Sequence, residues 1–405
     1  MREGIATSWW GRIGLKGSRA PVARKDGPPV VVVPHSATNG HGPDALATEA
    51  PERPKKTSSV GRDVPGWDDG VLDKICRAYQ FGSPADWDSL PGVGRETRVV
   101  LTEDGREFAV HAVNASSRGT LALKAELDLR EYLWHRHYPV AELALTSSGA
   151  RYLSLGGHHY FATVLENAQP YDPTDKTHCV EAATGLAQFH DAAREFSGTS
   201  PLGTSPYLTE IVQQRVEWMD ACLKANDVAW GRTNHLQQAL ASARHELQYL
   251  LPGIATAYAS EQCRLVHGAY DRQAVTFDGL GLAEVTNLEN MGFDLRLSDL
   301  ARSLQSFCTV QDGDDVSCID MDPAVLSRFL AAYEHLSPLT PLEAEALPLF
   351  LRAIHLAKVV DDCHRLIEEA VIDDEDSARN RDARAMALAL QIGFAPHPSR
   401  PDDSS

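Results

Sequence analysis

The sequence predicts an α+β chain in two lobes, a small antiparallel β-sheet lobe carrying one helix and a larger, mainly helical lobe containing a short β-hairpin. Three observations carry that prediction. Between residues 95 and 166, β-rich runs flank turn pairs at Asp104-Gly105 and Gly156-Gly157, with one helical stretch between them. Beyond Glu166, apolar residues recur at helical spacing. Inside that helical region, Arg264 to Asn287 returns to strand character around Asp278-Gly279.

Each element follows from its own residues. Residues 1–66 are rich in Pro, Gly, Ser and charge without a sustained period, so they read as a disordered N-terminal extension. Within it Trp9, Trp10, Ile13 and Leu15 form a small apolar patch, either a remnant without a role or a docking segment that folds on a partner. Structure begins at Trp67, and residues 67–166 form the β-rich lobe. A short helix, Gly70 to Tyr79, leads into ETRVVLTEDGREFAVHAV, a hairpin about Asp104-Gly105. Next, LALKAELDLREYLWHRHYPV spaces Leu121, Leu123, Leu127, Leu129, Tyr132 and Leu133 as a helix does, and Pro139 ends it. ARYLSLGG and HHYFATVLE then pair across Gly156-Gly157. Residues 167–395 form the helical lobe, with helices expected at Val180 to Phe196, Tyr207 to Asn226, Thr233 to Leu251, Pro323 to His335 and Pro341 to Glu369. Residues 396–405 read as a disordered tail. No internal repeat is present.

Composition narrows the function. The 405 residues carry a net charge of −18, which disfavours a nucleic-acid partner because phosphate binding needs a basic face. The charge is uneven: residues 1–66 hold ten Lys or Arg against six Asp or Glu, and the acidic remainder suits a cationic or weakly charged ligand. No apolar run reaches the length of about 18 residues that a membrane span needs. The N-terminus lacks an apolar segment after its first charges, so a cytoplasmic location is expected. Seven cysteines are scattered without CxxC spacing; they read as reduced thiols, and no metal centre is expected.

Seven stretches, in order, resemble the aminoglycoside phosphotransferase and choline kinase superfamily, relatives of the protein kinases. GRETRVVLTEDGREFAVHAV resembles that family's first hairpin, and LKAELDLREYL its helix bearing the Glu that pairs with a strand Lys. YFATVLENAQPYD is similar to the hinge, ATGLAQFHDAA to the L-A-x-L-H helix, and LVHGAYDRQAVTFDG to the H-G-D-x-x-x-x-N catalytic loop. NLENMGFDLRLSDLARSL resembles D-F-E-x-A-G-x-G-x-x-x-x-D-L-A, and FLAAYEHLSPLTPLEAEALPLFLRAI the C-terminal helices. The resemblance spans about residues 70–370 and implies a bilobal, protein-kinase-like fold.

The residues that would do the family's chemistry differ. Phosphoryl transfer needs an acid to orient the attacking hydroxyl, carboxylates for Mg²⁺ and a Lys for the phosphates. The resemblance places Ala269 at the catalytic Asp, Ala274 at the metal-binding Asn, Asn287 at the metal-binding Asp and His111 at the Lys, while Glu126 keeps the Glu. A hard dication prefers carboxylates to a neutral amide. Asp271, Glu289 and Asp294 lie nearby in sequence but out of register. The resemblance thus implies a pseudokinase-type member, with no cofactor.

By the same positions, the interlobe cleft is expected to hold catalytic candidates His267, Tyr270, Asp271 and Arg272, and substrate-binding candidates His111, Glu126, Asn287, Glu289 and Asp294. His and Tyr can carry protons, Asp and Glu can hold or charge them, and Arg can steady an oxyanion. The same side chains can also simply satisfy one another, with His267 bracing its loop and Arg296 and Asp299 stabilising the lobe. Three functional readings follow. One is an ATP-independent enzyme acting on a peptide, similar to kinase-fold thioether cyclases of bacterial lanthipeptide-type natural-product biosynthesis. Another is a non-catalytic scaffold for a partner modifying enzyme, and the third an active small-molecule or aminoglycoside-type phosphotransferase. The expected partner is a peptide substrate or a partner modifying enzyme; the oligomeric state is not legible.

Overall fold

The computed structural model describes residue 67 and residues 69–82, 84–89, 96–102, 104–165, 168–198, 208–225, 234–310 and 320–370. The expected extension 1–66 with its Trp9-Trp10 patch, residues 371–395 and the expected tail 396–405 lie outside the described residues.

Strand period builds the first lobe. Strands β1 (Pro84–Ser89), β2 (Thr97–Thr102), β3 (Glu107–Asn114), β4 (Leu143–Ala144), β5 (Leu153–Leu155) and β6 (His158–Val164) form one sheet of order β1-β2-β3-β6-β4, with β5 paired to β6. All pairings are antiparallel. Helix α1 (Asp69–Tyr79) buries Leu72, Ile75, Cys76 and Tyr79 in one cluster with Val100, Val110, Tyr160 and Ala162. Helix α2 (Ser117–His135) instead packs Leu123 and Leu127 with Phe161. Successive residues of a strand face opposite ways, so β6 sends Tyr160 and Ala162 to one helix and Phe161 to the other. That double burial explains why Tyr160, Phe161 and Ala162 follow one another without a polar residue between them. At its start, α2 is capped by Ser116 Oγ, which accepts from Gly119 N at 3.1 Å.

The second lobe is organised around α3 (Lys176–Arg194), whose Ala182, Ala183, Leu186 and Phe189 are fully buried. A helix apolar on most sides belongs in the middle of a bundle. Helix α3 packs on α6 (Arg296–Cys308) and α7 (Pro323–Leu336), while α4 (Leu208–Ala225) and α5 (Asn234–Ser260) pack on each other and on α8 (Pro341–Ala370), which joins them to α6. Strand β7 (Gln169–Pro170) joins the hairpin β9 (Val275–Asp278) and β10 (Gly281–Val285). Asp278 Oδ1 accepts from Leu280 N and Gly281 N at 2.6 and 3.0 Å and so closes that turn. Strand β8 (Arg264–Val266) pairs with β11 (Gly292–Asp294), holding the two ends of the 267–291 segment together, and β12 (Thr309–Val310) pairs with β13 (Asp320–Met321). The lobes meet where Val285 N donates to Pro139 O at 2.7 Å.

The bilobal α+β architecture is therefore present, and the differences have local causes. Strand β1, PADWDS, is polar and opens with Pro, so only its edge position makes it tolerable as a strand. Helix α5 runs past its expected end at Leu251 and through Pro252, because Ile254 and Ala257 continue the buried face beyond it. Among the described residues no helix is long and apolar enough to cross a membrane, and Cys76, Cys179, Cys263, Cys308 and Cys363 are free thiols.

One buried ion pair ties α6 to α8. Arg296 Nε donates to Glu343 Oε1 at 2.5 Å, and Nη1 and Nη2 reach Ser337 Oγ and Pro338 O. Removing one member of such a pair strands a buried charge. Arg296→Met is expected to cost about 3–5 kcal/mol in denaturant unfolding, with an unchanged circular-dichroism spectrum below the transition.

Candidate functional site in the interlobe cleft

The segment that resembles a catalytic loop is held by its backbone. Asp299, fully buried on α6, accepts from His267 N through Oδ2 at 2.9 Å and from Gly268 N through Oδ1 at 3.0 Å. His190 on α3 meets the same carboxylate at 3.1 Å and bonds Tyr333 Oη at 2.7 Å through its other nitrogen. Arg302 donates to Gly268 O at 2.8 Å, and Ser303 Oγ to Tyr270 O at 2.8 Å. Burial pushes the Asp299 carboxyl upward, but the hydrogen bond and charge of His190 outweigh it and hold the group below the ordinary Asp range. Gly268 sits at φ +80°, and a Cβ there would drive into the carbonyl oxygen of Asn290.

The predicted catalytic residues take a different place from the one the sequence suggested. His267 is fully buried, its Nε2 against Thr286 O at 2.8 Å and its Nδ1 accepting from Ala269 N at 3.3 Å. Tyr270 is also fully buried, and its hydroxyl donates to Ala182 O at 2.8 Å. Burial holds that phenol well above its usual range, so it stays protonated and bonded within the helical lobe. Arg272 turns toward the end of α6, donating to Phe307 O and Thr309 O at 3.0 and 2.8 Å, with its guanidinium 5.5 Å from the centre of the Tyr171 ring. Asp271 Oδ1 accepts from Gln273 N and Ala274 N within its own turn, at 2.9 and 3.0 Å. Asp294 is fully buried, accepting from Tyr258 Oη, Leu295 N and Ser298 Oγ at 2.6–2.7 Å. Its desolvation raises the carboxyl above the ordinary value despite those bonds. His267, Tyr270 and Asp294 are thus buried with their side chains bonded inside the helical lobe, Asp271 is tied to backbone N–H groups of its own turn, and Arg272 is tied to two carbonyls while its Nε has no hydrogen-bond partner.

Four predicted residues do meet. His111, Glu126, Asn287 and Glu289 line one cavity of about 50 Å³ between the lobes, together with Arg130, Thr163, Glu284 and Thr286. His111 lies flat against Phe161 with centroids 4.5 Å apart, and its nitrogens reach Thr97 Oγ1 and Thr163 Oγ1 at 3.0 and 3.3 Å. Glu126 and Arg130 are 3% and 4% exposed and face each other at 3.7 Å, one helical turn apart on α2. Arg130 was not read as a site residue from sequence, although its i,i+4 spacing from Glu126 was the signal that could have found it. Its Nε and Nη1 are buried without a hydrogen-bond partner, as is Oδ1 of Asn287. Asn287 adopts the left-handed conformation at φ +60°, which Asn tolerates better than most residues.

This donor set does not fit a magnesium nucleotide. The positions that the resemblance assigns to metal ligands hold the buried methyl of Ala274 and the neutral amide of Asn287, and the nearby Asp294 carboxylate is sealed. Among the described residues no group of three His, Cys, Asp or Glu side chains is placed to hold a metal ion. The cavity is also far below the roughly 300–1,000 Å³ of an ordinary small-molecule site. A larger groove of about 440 Å³, lined by Trp134, His137, Tyr138 and Val164 among others, lies at the end of α2 and contains none of the predicted residues.

Comparison of whole chains places this architecture. An amicoumacin kinase in complex with AMP-PNP and Ca²⁺ superposes with a TM-score of 0.57 at 14% identity, covering 80% of this chain and 94% of that one. An aminoglycoside phosphotransferase from Alicyclobacillus acidocaldarius gives 0.55 at 16% identity, over 82% and 97%. A choline kinase from Cryptosporidium parvum gives 0.51 at 12%, over 81% and 98%. The fold is that of the aminoglycoside phosphotransferases and choline kinases. At these identities the phosphotransferase likeness is one of fold. By sequence, a homoserine kinase from Caulobacter vibrioides is 25% identical over 301 residues, 70% of this chain and 83% of that protein. No family model matches the chain.

Two predictions test the loop scaffold of this phosphotransferase fold. Gly268→Ala must accommodate both a positive φ and a backbone clash, and is expected to lose about 2 kcal/mol or more in denaturant unfolding. The second concerns pH. Burial depresses the His267 pKa below its usual 6.5, so the unfolded chain binds the proton that the folded chain resists. Stability is expected to fall as pH drops below 6.5, and His267→Gln should make that slope shallower in midpoints measured from pH 7.5 to 5.

Proposed function

We propose that this chain is a binding protein built on the phosphotransferase fold, whose interlobe cleft holds a small polar group of a peptide or partner and does not transfer phosphate from Mg-nucleotide. One observation carries the reading. The loop that positions a catalytic acid in this fold is clamped residue by residue by α6, yet its working position holds Ala269. A methyl group cannot accept a hydroxyl proton. The loss recurs at Ala274 and Asn287, so the whole acid and metal apparatus is missing together.

Chemistry without nucleotide is less well supported. A thioether-forming Michael addition needs a base for the thiol and an acid for the enolate. With His267 and Tyr270 sealed beneath the cleft, His111 is the predicted imidazole that lines the cavity, and threonine hydroxyls engage both its nitrogens. Binding, with the protein serving as a scaffold for a modifying enzyme, is therefore preferred to cyclisation.

A second reading has one observation in its favour, the 25% identity over 301 residues with a homoserine kinase. Under it Asp271, two residues past Ala269, would have to serve as the base. Calorimetry and thermal shift with millimolar ATP and Mg²⁺, followed by labelled-phosphate transfer to homoserine and choline, separate the two. No binding and no transfer are expected. Transfer that Asp271→Asn abolishes would establish the phosphotransferase reading and overturn this one.

A further inference from the structure

A chain of hydroxyl, imidazole and hydroxyl runs through the sheet lobe where β5, β6 and the first turn of α2 meet. Ser154 and His159 stand directly opposite in the antiparallel β5–β6 ladder, so their side chains share one face. Gly156 and Gly157, at φ +58° and +82°, form the two-residue turn that fixes this register. Strand alternation puts His159 on the same face as Phe161, the face that α2 covers. Ser154 Oγ lies 2.9 Å from His159 Nδ1, and Thr120 Oγ1 lies 2.8 Å from Nε2. Ser154 is exposed, whereas His159 is only 7% exposed.

The hydrogen bonds run in one direction. Thr120 Oγ1 donates its proton to Ser116 O at 2.9 Å, so toward the imidazole it can only accept, and Nε2 carries the ring proton. Nδ1 is then the bare nitrogen, and the Ser154 hydroxyl donates to it. Burial lowers the His159 pKa below its usual 6.5, and the charges of Lys124 on α2 and His158 on β6 act in the same direction, so the ring is neutral at pH 7. Tyr152 meets the imidazole edge to face, with centroids 4.8 Å apart.

An activated nucleophile needs a base within hydrogen-bond reach and a third group that orients the base; Ser154, His159 and Thr120 meet those conditions in order. We propose that Ser154 is a nucleophilic hydroxyl that takes an acyl group from an activated ester, with His159 Nδ1 as its base and Thr120 as the positioning residue that fixes the imidazole. Ser154 Oγ forms the new bond to the acyl carbon as its proton passes to Nδ1. The bond from that carbon to the leaving oxygen or sulfur then breaks, and the leaving group takes the proton from Nδ1. The products are an O-acyl serine and a free alcohol or thiol. Because the third member is a hydroxyl and not a carboxylate, it fixes the tautomer without an ionic partner for the imidazolium, which favours a donor with a good leaving group over an amide. None of the three residues lines the cleft cavity, so this reactivity does not depend on what the cleft binds.

The test treats the full chain with p-nitrophenyl acetate and locates the acetyl ester by peptide mass spectrometry. Ser154 is expected to be acetylated faster than any other serine. Its rate should be level above the His159 pKa and fall as pH drops through it, below 6.5; a serine without a base reacts in proportion to hydroxide concentration and shows no plateau. His159→Gln should slow acetylation of Ser154 by about a hundredfold or more, the range of a general base. Thr120→Val should slow it as well, and Thr120→Ser, which restores the hydroxyl, should bring it back. The proposal is overturned if Ser154 stays unmodified, if its rate tracks hydroxide without a plateau, or if His159→Gln with a parent-like circular-dichroism spectrum is acetylated at the parent's rate. Should His159→Gln not fold, the parent's pH profile and the two Thr120 variants decide: a plateau with loss and rescue supports the assignment, and a rate that follows hydroxide or ignores Thr120 overturns it.

Discussion

The buried carboxylate of Asp299 is the interaction on which the helical lobe depends. It joins three separate pieces of chain: α6, on which it stands, the loop at His267 and Gly268, and α3 through His190. A carboxylate taken out of water costs several kcal/mol unless its lone pairs are filled. Here two backbone donors and an imidazole fill them, and Tyr333 in turn fixes the imidazole from α7. Four elements are therefore positioned by one charge. Arg302 and Ser303, on the next turn of α6, extend the clamp to the carbonyls of Gly268 and Tyr270. The loop backbone is set by α6 whatever side chain stands at position 269.

That arrangement leaves the side chains at positions 269 and 274 without a part in holding the loop. Ala269 contributes no side-chain bond to the clamp, and Ala274 is held by its backbone N–H to Asp271. His267 and Tyr270, by contrast, pack their rings 5.4 Å apart, and Phe189 lies 5.4 Å from His267, so these aromatic residues form part of the core. Positions that act only on a substrate can change at little cost to stability, while positions that build the scaffold cannot.

The same division decided how much was legible in the sequence. Alternation around Asp104-Gly105 and Gly156-Gly157, and helical periodicity in segments such as 180–196, are local signals, and they located the sheet and most helices. Polar strand β1 and the two-residue strand β4 carry no such signal, since only a neighbouring strand makes them strands. For the site, four of the nine predicted residues meet in one cavity, because strand β3, helix α2 and the segment after β10 converge there. The orientation of the loop residues was not legible, because linear proximity to Ala269 does not tell which side chains point inward. Tyr270 is adjacent to that alanine and yet hydrogen-bonds to α3. Arg130 was missed for the opposite reason, being a charge on a helix that reads as solvent-facing until its 4% exposure is known.

The Glu126–Arg130 pair has a mechanical consequence. A pair within α2 closes over a single turn and makes no demand on β3. What holds α2 to the sheet is instead apolar, Leu123 and Leu127 against Phe161, which is non-directional and insensitive to charge at the cleft. Apolar packing thus sets the place of α2 on the sheet independently of the charges that line the cavity.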